Sequence, residues 1–177
     1  MILLEKNWKS LLLINLVHCS VPIQACNDLD LLITIEQANK SSKLASELNT
    51  YYLENFKQIK DMYVKLMSLK LDQYEMSSFK LIALLKSDSK MSLENEPLVK
   101  LMQTQLILQL KEYERLKQIN SDASPLATSP SNKFDLILFY LNEINSRVNE
   151  KTFETVFFKH QIGELSMNEI VSGIFIR

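Results

Sequence analysis

The residues best suited to chemistry are few and widely spaced in this sequence. It holds two cysteines, Cys19 and Cys26, and two histidines, His18 and His160. A zinc ion requires three or four protein ligands close together. In a sequence, such a site is typically indicated by paired Cys or His residues at short spacing. No such pairs occur, so no metal site is predicted. Two free thiols in a reducing compartment is the simpler interpretation of the cysteines, and a short disulfide loop in a secreted chain is the alternative.

No spacing typical of an enzyme occurs either. His18 lies in an apolar run, where a core histidine is expected more often than a general base. His160 lies near a predicted helix end, where its positive charge would interact favourably with the helix dipole. Glu94 and Glu96 are typical of the solvent-exposed start of a helix. The sequence has no glycine-rich phosphate loop and no HExxH. The chain is therefore predicted not to be an enzyme, and no cofactor is expected.

The overall composition limits both fold class and partners. A formal net charge of -1 and a pI of about 6.2 give no electrostatic footprint for nucleic acid or for a membrane surface. At 177 residues the chain is one domain of ordinary size. Glycine occurs only twice, at Gly163 and Gly173, whereas helix-forming residues are plentiful. This composition predicts an all-α fold.

The opening stretch, MILLEKNWKSLLLINLVHCSVPIQAC, permits two interpretations. A basic start, an apolar run and small residues before a cysteine are typical of a signal peptide cleaved near Ala25. That would make the chain a secreted helical bundle of the cytokine type. Glu5, Asn15 and His18 are awkward in a signal peptide but ordinary in a long, mostly apolar helix at the centre of a domain. Pro22 ends this helix.

Helical periodicity resumes at Leu44 and persists to the C-terminus. Asp72 and Glu75 predict an N-cap and a capping box for the helix YEMSSFKLIALLKS. Between the first two helices, Leu29 to Glu36 predict a short strand or turn, and Asn120 to Asn132 form a polar, proline-bearing loop. Two further helices are marked by apolar stripes at steps of three and four, one comprising Leu48, Tyr52, Phe56, Ile59, Tyr63 and Leu66, the other Leu98, Met102, Leu106, Leu110 and Tyr113.

Three features of the remaining helices suggest protein contacts. LIALL, Leu81 to Leu85, fits the LxxLL pattern of helices that dock in hydrophobic grooves, although these leucines are expected to face the domain's own core. The stripe Phe134, Ile137, Leu141, Ile144 and Val148 suits either a partner helix or an internal core. Near the C-terminus, TFETVFFKHQ is predicted to end at Gly163. Ser166 and Glu169 predict a capping box for a short amphipathic helix, SMNEIVSGIF.

The sequence resembles the ligand-binding domain of nuclear receptors in four segments that follow in the right order. ILLEKNWKSLLLINLVHCSVPI is similar to the family's fused helices 4 and 5, and LKLDQYEMSSFKLIALLKS is similar to its helix 8. KFDLILFYLNEI resembles helix 10, and ETVFFKHQIGELSMNEIVSGIF resembles the last two helices. The closest branch is the orphan group that holds the tailless and photoreceptor-specific receptors. The resemblance implies an antiparallel helical sandwich, helices 4/5 to 12, over residues 1–177.

The resemblance also implies absent parts and an expected function. Helices 1–3 and the zinc-finger DNA-binding domain are not represented, so the chain is expected to be a partial ligand-binding domain, an incomplete gene product or a short form. The implied function is a transcription regulator in the nucleus that acts through coregulators and a dimer. The resemblance also allows a small lipophilic ligand. The chain itself is expected to contact neither nucleic acid nor membrane.

The resemblance assigns the coregulator and ligand sites by position. The coregulator groove is matched by Met1, Leu4 and Glu5, and the activation helix by Ile170, Val171, Ile174 and Phe175. The family usually has an acidic residue between the apolar pairs of that helix, to cap an LxxLL peptide, whereas this chain has Ser172 and Gly173. Corepressors are therefore expected in preference to coactivators. The ligand pocket is matched by Trp8, Leu12, Thr152, Thr155 and Val156, for which plain core packing is an equal alternative.

The resemblance further implies a dimer surface, and it shows that one residue of an ion pair common in the family is missing here. The dimer interface matches Phe134, Ile137, Leu138, Leu141 and Ile144. Where the family usually reads LPxLR, this chain has LNEIN from Leu141 to Asn145. The missing arginine commonly pairs with the acid of helix 8, here Glu75, which puts this internal salt bridge in doubt, although the fold is expected to survive without it.

Overall fold

The computed structural model describes residues 2–23, 45–87, 95–120 and 133–158 and the positions 169, 170 and 173. Within these ranges every element is helical, which confirms the all-α prediction. The elements are α1 (Ile2–His18), α2 (Ala45–Ser68), α3 (Gln73–Leu84), α4 (Glu96–Asn120), α5 (Lys133–Arg147) and α6 (Glu150–Phe153), which continues into a π-helical turn (Glu154–Phe158). The strand or turn predicted at Leu29–Glu36, Cys26, His160 and Gly163 lie outside the described residues.

Helix α1 lies at the centre of the helical assembly. It packs against α3, α2 and α5, and it is apolar on nearly every side, as expected for a helix surrounded by others. Leu13 and Ile14 are fully buried, and Trp8 and Val17 are nearly so. The interpretation of the opening stretch as a central helix is confirmed.

Two polar side chains of α1 join it to the ends of other helices. The last carbonyls of a helix have no partner within the helix and need one elsewhere. The amide of Asn7 donates to the carbonyls of Leu84 and Lys86, at 3.1 and 2.8 Å, where α3 ends. The amino group of Lys9 donates to the carbonyls of Asn145 and Val148, at 3.2 and 3.1 Å, where α5 ends. These polar residues in an apolar helix therefore act as C-caps for two neighbours.

The predictions for α2 and α3 are confirmed. Phe56, Ile59, Tyr63 and Leu66 form one buried stripe of α2. At the start of α3, the Asp72 carboxylate accepts from the backbone N–H of Glu75, and the Glu75 carboxylate accepts from the backbone N–H of Asp72, at 2.9 and 2.7 Å. This is the capping box that the spacing predicts.

Helix α4 is the long helix that the stripe predicts, but only part of this stripe is buried. Leu110 is fully buried, and Leu106 and Tyr113 are half-buried. Leu98 and Met102, at the start of the stripe, are 54% and 46% exposed and lie on the surface. Periodicity alone cannot tell which face of a helix meets the core when apolar residues occupy more than one face.

Two further expectations from the sequence are corrected by burial. His18 is not a core histidine: it is exposed at the end of α1, with its Nδ1 atom 2.8 Å from the amino nitrogen of Lys80. In LIALL, only Ile82 and Ala83 are in the core, whereas Leu81 is exposed. Leu81, Leu84 and Leu85 line a cleft of about 420 Å³ against Met102 and Leu106 of α4. None of the helices in the described ranges has the length and hydropathy that a membrane crossing needs.

Candidate functional site

The residues predicted to line a ligand pocket come together where α1 meets α6. Trp8 of α1 is 6% exposed, and its indole N–H donates to the Glu150 carboxylate at 3.1 Å. Thr152 and Thr155 are buried opposite it, and Leu12 and Val156 are half-buried against the core. The structure thus brings the predicted pocket positions of α1, Trp8 and Leu12, and those near the C-terminus, Thr152, Thr155 and Val156, to one region of the fold.

Aromatic rings cluster beside these positions. The Trp8 ring meets the rings of Phe153 and Phe158 edge to face, with centroids 6.2 and 6.3 Å apart. Phe157 continues the cluster toward Phe153 at 5.4 Å and toward Phe56 of α2 at 6.4 Å. Such edge-to-face and tilted contacts add to the free energy of simple area burial. We call these five residues, Trp8, Phe56, Phe153, Phe157 and Phe158, the aromatic cluster.

The local backbone explains how so many rings point inward. Asn149 caps the start of α6, with its side-chain oxygen accepting from the backbone N–H of Thr152 at 3.1 Å. The chain then widens into the π-helical turn Glu154–Phe158. Because a π-helix rotates less per residue than an α-helix, consecutive residues such as Phe157 and Phe158 can both reach the interior. The sequence does not reveal this turn. The FF pair, Phe157 and Phe158, and the single tryptophan, Trp8, were the features from which the cluster could have been predicted.

The predicted coregulator groove is described only in part. Leu4 and Glu5 are half-buried near the start of α1, and Ile170 is half-buried. Met1, Val171, Ile174 and Phe175 lie outside the described residues, so these two sets of positions remain predictions. At Gly173 a Cβ atom would meet nothing within 4 Å, so a larger residue fits there.

The predicted dimer seam divides between core and surface. Ile137, Leu141 and Ile144 are buried in the core of the chain itself, where α5 packs against α1, α2 and α4. A side chain fully buried in this way cannot also contact a partner, so for these three positions the alternative of an internal core stripe holds. Phe134 and Leu138 are half-buried, and Phe139, which was not predicted, is 53% exposed.

A cluster of charged residues joins three helices, α3, α4 and α5, around Glu75. This carboxylate has no exposure to solvent, yet it accepts from the amino groups of Lys117 in α4 and Lys133 in α5, each at 2.6 Å. Lys117 also bonds Asp72, which accepts from the Tyr113 hydroxyl at 2.9 Å. Glu75 therefore has internal salt bridges, although the arginine that pairs with it in the family is missing. Two lysines from other helices pair with Glu75 instead of the arginine. They are distant from Glu75 in the sequence, so no local motif predicts this pairing.

A second carboxylate, Glu114, shares this cluster. Burial, followed by its hydrogen bond and charge repulsion with Glu75, raises the pKa of Glu114 to about 7. For Glu75, burial acts in the raising direction, but hydrogen bonds from Glu114, Lys117 and Lys133 outweigh it and lower the pKa. The pair is thus arranged as a charged carboxylate, Glu75, that accepts a hydrogen bond from the protonated carboxyl group of Glu114.

Replacing Glu114 by glutamine is expected to change how stability depends on pH. The folded chain holds the Glu114 proton up to a pH of about 7, whereas an unfolded chain releases it near 4.3. The free energy of unfolding therefore falls as pH rises through this window, by on the order of 1–2 kcal/mol. Glu114→Gln removes this contribution. Compared with the parent chain, the variant is therefore expected to be more stable at pH 8 than it is at pH 5. Urea unfolding at both pH values measures it, and parallel wild-type and variant curves would contradict the assignment.

The described residues offer few candidates for other chemistry. Among them, no group of three His, Cys, Asp or Glu side chains is placed to hold a metal ion. Cys19 is an exposed free thiol. The main feature of the described residues is instead a packed aromatic interior beside a helical surface. Such a surface is suited to binding through shape complementarity.

A comparison with protein families gives one match. The family described as the ligand-binding domain of nuclear hormone receptors matches residues 1–160. Domains of this family are ligand-regulated parts of transcription factors without enzymatic activity, which generally dimerise, bind coregulators and act in the nucleus. This match, together with the all-helical fold around α1, decides between the receptor and the secreted-bundle hypotheses. The chain belongs to the family of nuclear hormone receptor ligand-binding domains.

Proposed function

We propose that this chain is the coregulator-binding part of an orphan, repressor-type nuclear receptor whose resting shape does not depend on a ligand. The branch that holds the tailless and photoreceptor-specific receptors fits this proposal best. The observation that carries it is the aromatic cluster: Trp8, Phe153 and Phe158 occupy the region where the pocket positions converge. A site filled by the chain's own side chains needs no ligand to complete its packing.

The activation-helix sequence supports a preference for corepressors. A carboxylate between its two apolar pairs would cap the free N–H groups at the start of an LxxLL helix. Ser172 and Gly173 provide no such charge. A corepressor helix, which is held without that cap, is then favoured over a coactivator helix.

Peptide binding tests this proposal directly. Fluorescence anisotropy with labelled peptides is expected to show tighter binding of a corepressor-type helix than of an LxxLL helix to the purified chain. Gly173→Glu, which has room for its side chain, is expected to strengthen LxxLL binding about tenfold, or about 1.4 kcal/mol. Ser172→Glu is the matched control, with the same charge one residue away. Tighter LxxLL binding by the unchanged protein, without added ligand, would overturn the repressor assignment.

A further inference from the structure

Helices α5 and α6 are separated by two residues, Val148 and Asn149. Helix α5 ends at Arg147, and α6 begins at Glu150. The backbone of Asn149 is extended, with φ -81° and ψ 125°. Sharp breaks in a helix arise at proline, at glycine or where a side chain enters the ladder of backbone hydrogen bonds. Because the sequence has neither glycine nor proline here, the third cause is the one to examine.

The side chain of Lys9 in α1 enters the hydrogen-bond ladder at this break. Its amino group donates to the carbonyls of Asn145 and Val148, at 3.2 and 3.1 Å. In a continuous helix each carbonyl accepts from the backbone N–H four residues later, so the donors for these two are Asn149 and Thr152. Lys9 therefore satisfies two acceptors that a continuous helix across the break satisfies by itself.

Asn149 satisfies a donor on the other side of the break. Its side-chain oxygen accepts from the backbone N–H of Thr152 at 3.1 Å, which makes it the N-cap of α6. Its amide group donates to the Tyr51 hydroxyl of α2 at 2.7 Å, so a neighbouring helix holds the cap in place. Asparagine is favoured at an N-cap and is less favourable inside a helix. This residue type thus favours two helices over one.

The charges beside the break also suit two separate helices. The amino group of Lys9 lies at the C-terminal end of α5, and Glu150 is the first residue of α6. A positive charge at a helix C-terminus and a negative charge at a helix N-terminus both interact favourably with the helix dipole. The Glu150 carboxylate also accepts from the indole N–H of Trp8, the residue before Lys9. In one continuous helix neither charge lies at a helix end, so this stabilisation is lost.

We propose that Lys9 and Asn149 are positioning residues that keep α5 and α6 apart as two helices, and that without them the chain forms one continuous helix from Lys133 to Phe153. The continuous form keeps its backbone paired, because the groups that the two side chains satisfy then bond each other within the ladder. The residues of α6 and of the π-helical turn follow the break. The two side chains thereby decide where the rings of the aromatic cluster lie. The proposal does not depend on the preference for corepressors.

Amide hydrogen exchange and Cα chemical shifts, both measured by NMR, test the proposal on the double variant Lys9→Met, Asn149→Ala. The first backbone N–H groups of a helix have no partner within it. In a continuous helix the N–H groups of positions 149 and 151 donate to the carbonyls of positions 145 and 147. Their exchange is therefore expected to slow at least tenfold, and the Cα shifts of positions 148 and 149 are expected to become helical. Faster exchange, which a simple loss of packing gives, or unchanged exchange would overturn the proposal.

Two control proteins make the test specific. Lys86→Met is the matched control, because the Lys86 amino group also reaches α5 but bonds the side-chain oxygen of Asn142, at 2.9 Å. Lys9→Arg with Asn149→Asp keeps a cationic donor and a capping oxygen. Both proteins are expected to exchange at positions 149 and 151 as the parent chain does, and slowed exchange in either one contradicts the assignment.

Circular dichroism verifies that each variant folds. Where the double variant does not fold, the single variant Asn149→Ala is measured at the same amides, with slower exchange again expected. Alanine is the best helix former, and a continuous helix has no need of a cap at this position. Loss of the fold in the single variant as well would therefore overturn the proposal.

Discussion

Replacing Glu75 by glutamine is expected to lower the free energy of unfolding by about 3 kcal/mol or more. The carboxylate is completely buried and accepts from Lys117, Lys133 and the backbone N–H of Asp72. Glutamine is neutral and offers an NH₂ group that meets a lysine donor, so Lys133 loses its counter-charge and Lys117 keeps only that of Asp72. Because the lysines come from α4 and α5, the loss loosens the contacts of both with the start of α3.

A urea unfolding curve that follows the fluorescence of Trp8, the only tryptophan of the chain, measures this change. Glu112→Gln is the matched control, since Glu112 also pairs with a cation at 2.6 Å, Arg115, but on the surface. Exposed pairs contribute little, so this control is expected to behave as the parent chain does. Equal behaviour of the two variants would show that burial of the Glu75 pair is not what matters.

Replacing Phe153 by alanine is expected to cost about 3–5 kcal/mol and to open a cavity at the predicted pocket. Phe153 is fully buried between Trp8 and Phe157. An apolar cavity of this kind stays dry and accepts small apolar molecules. An added aromatic compound such as toluene is therefore expected to raise the melting temperature of the variant and to leave that of the parent chain unchanged.

Phe139→Ala serves as the control for this effect, because Phe139 is also a phenylalanine next to an aromatic ring, that of Tyr140, but is half-exposed. It is expected to change stability little and to give no response to toluene. Phe153→Leu, which leaves a smaller void, keeps the test interpretable where the alanine variant unfolds. A parent chain that responds to toluene as strongly as Phe153→Ala would mean that the aromatic cluster does not fill the site.

Local patterns were sufficient for most of the helices. The capping box at Asp72 and Glu75 and the stripe from Phe56 to Leu66 were predicted because each depends on residues within a few turns. The central position of α1 was predicted from its apolar character on all sides. The region around Trp8, Thr152 and Thr155 was located by family resemblance, which relates positions that are distant in sequence.

Other features depend on tertiary contacts that the sequence does not reveal. The pairing of Glu75 with Lys117 and Lys133 depends on how α3, α4 and α5 meet. The exposure of Leu98 and Met102 depends on which face of α4 meets the core. The π-helical turn depends on the packing of Phe157 and Phe158, since it offers no local advantage over an α-helix. In each case tertiary packing overrides a local pattern.

Glu75 also bears on the tolerance of the chain to insertions. It binds Lys117 in the last turn of α4 and Lys133 at the first position of α5. The same buried carboxylate therefore fixes the two ends of the connection that spans residues 121–132. Because the entropy of closing a loop grows only with the logarithm of its length, doubling such a connection costs only about 0.6 kcal/mol. A longer connection between α4 and α5 is thus expected to cost little stability, provided that Glu75 and both lysines are kept.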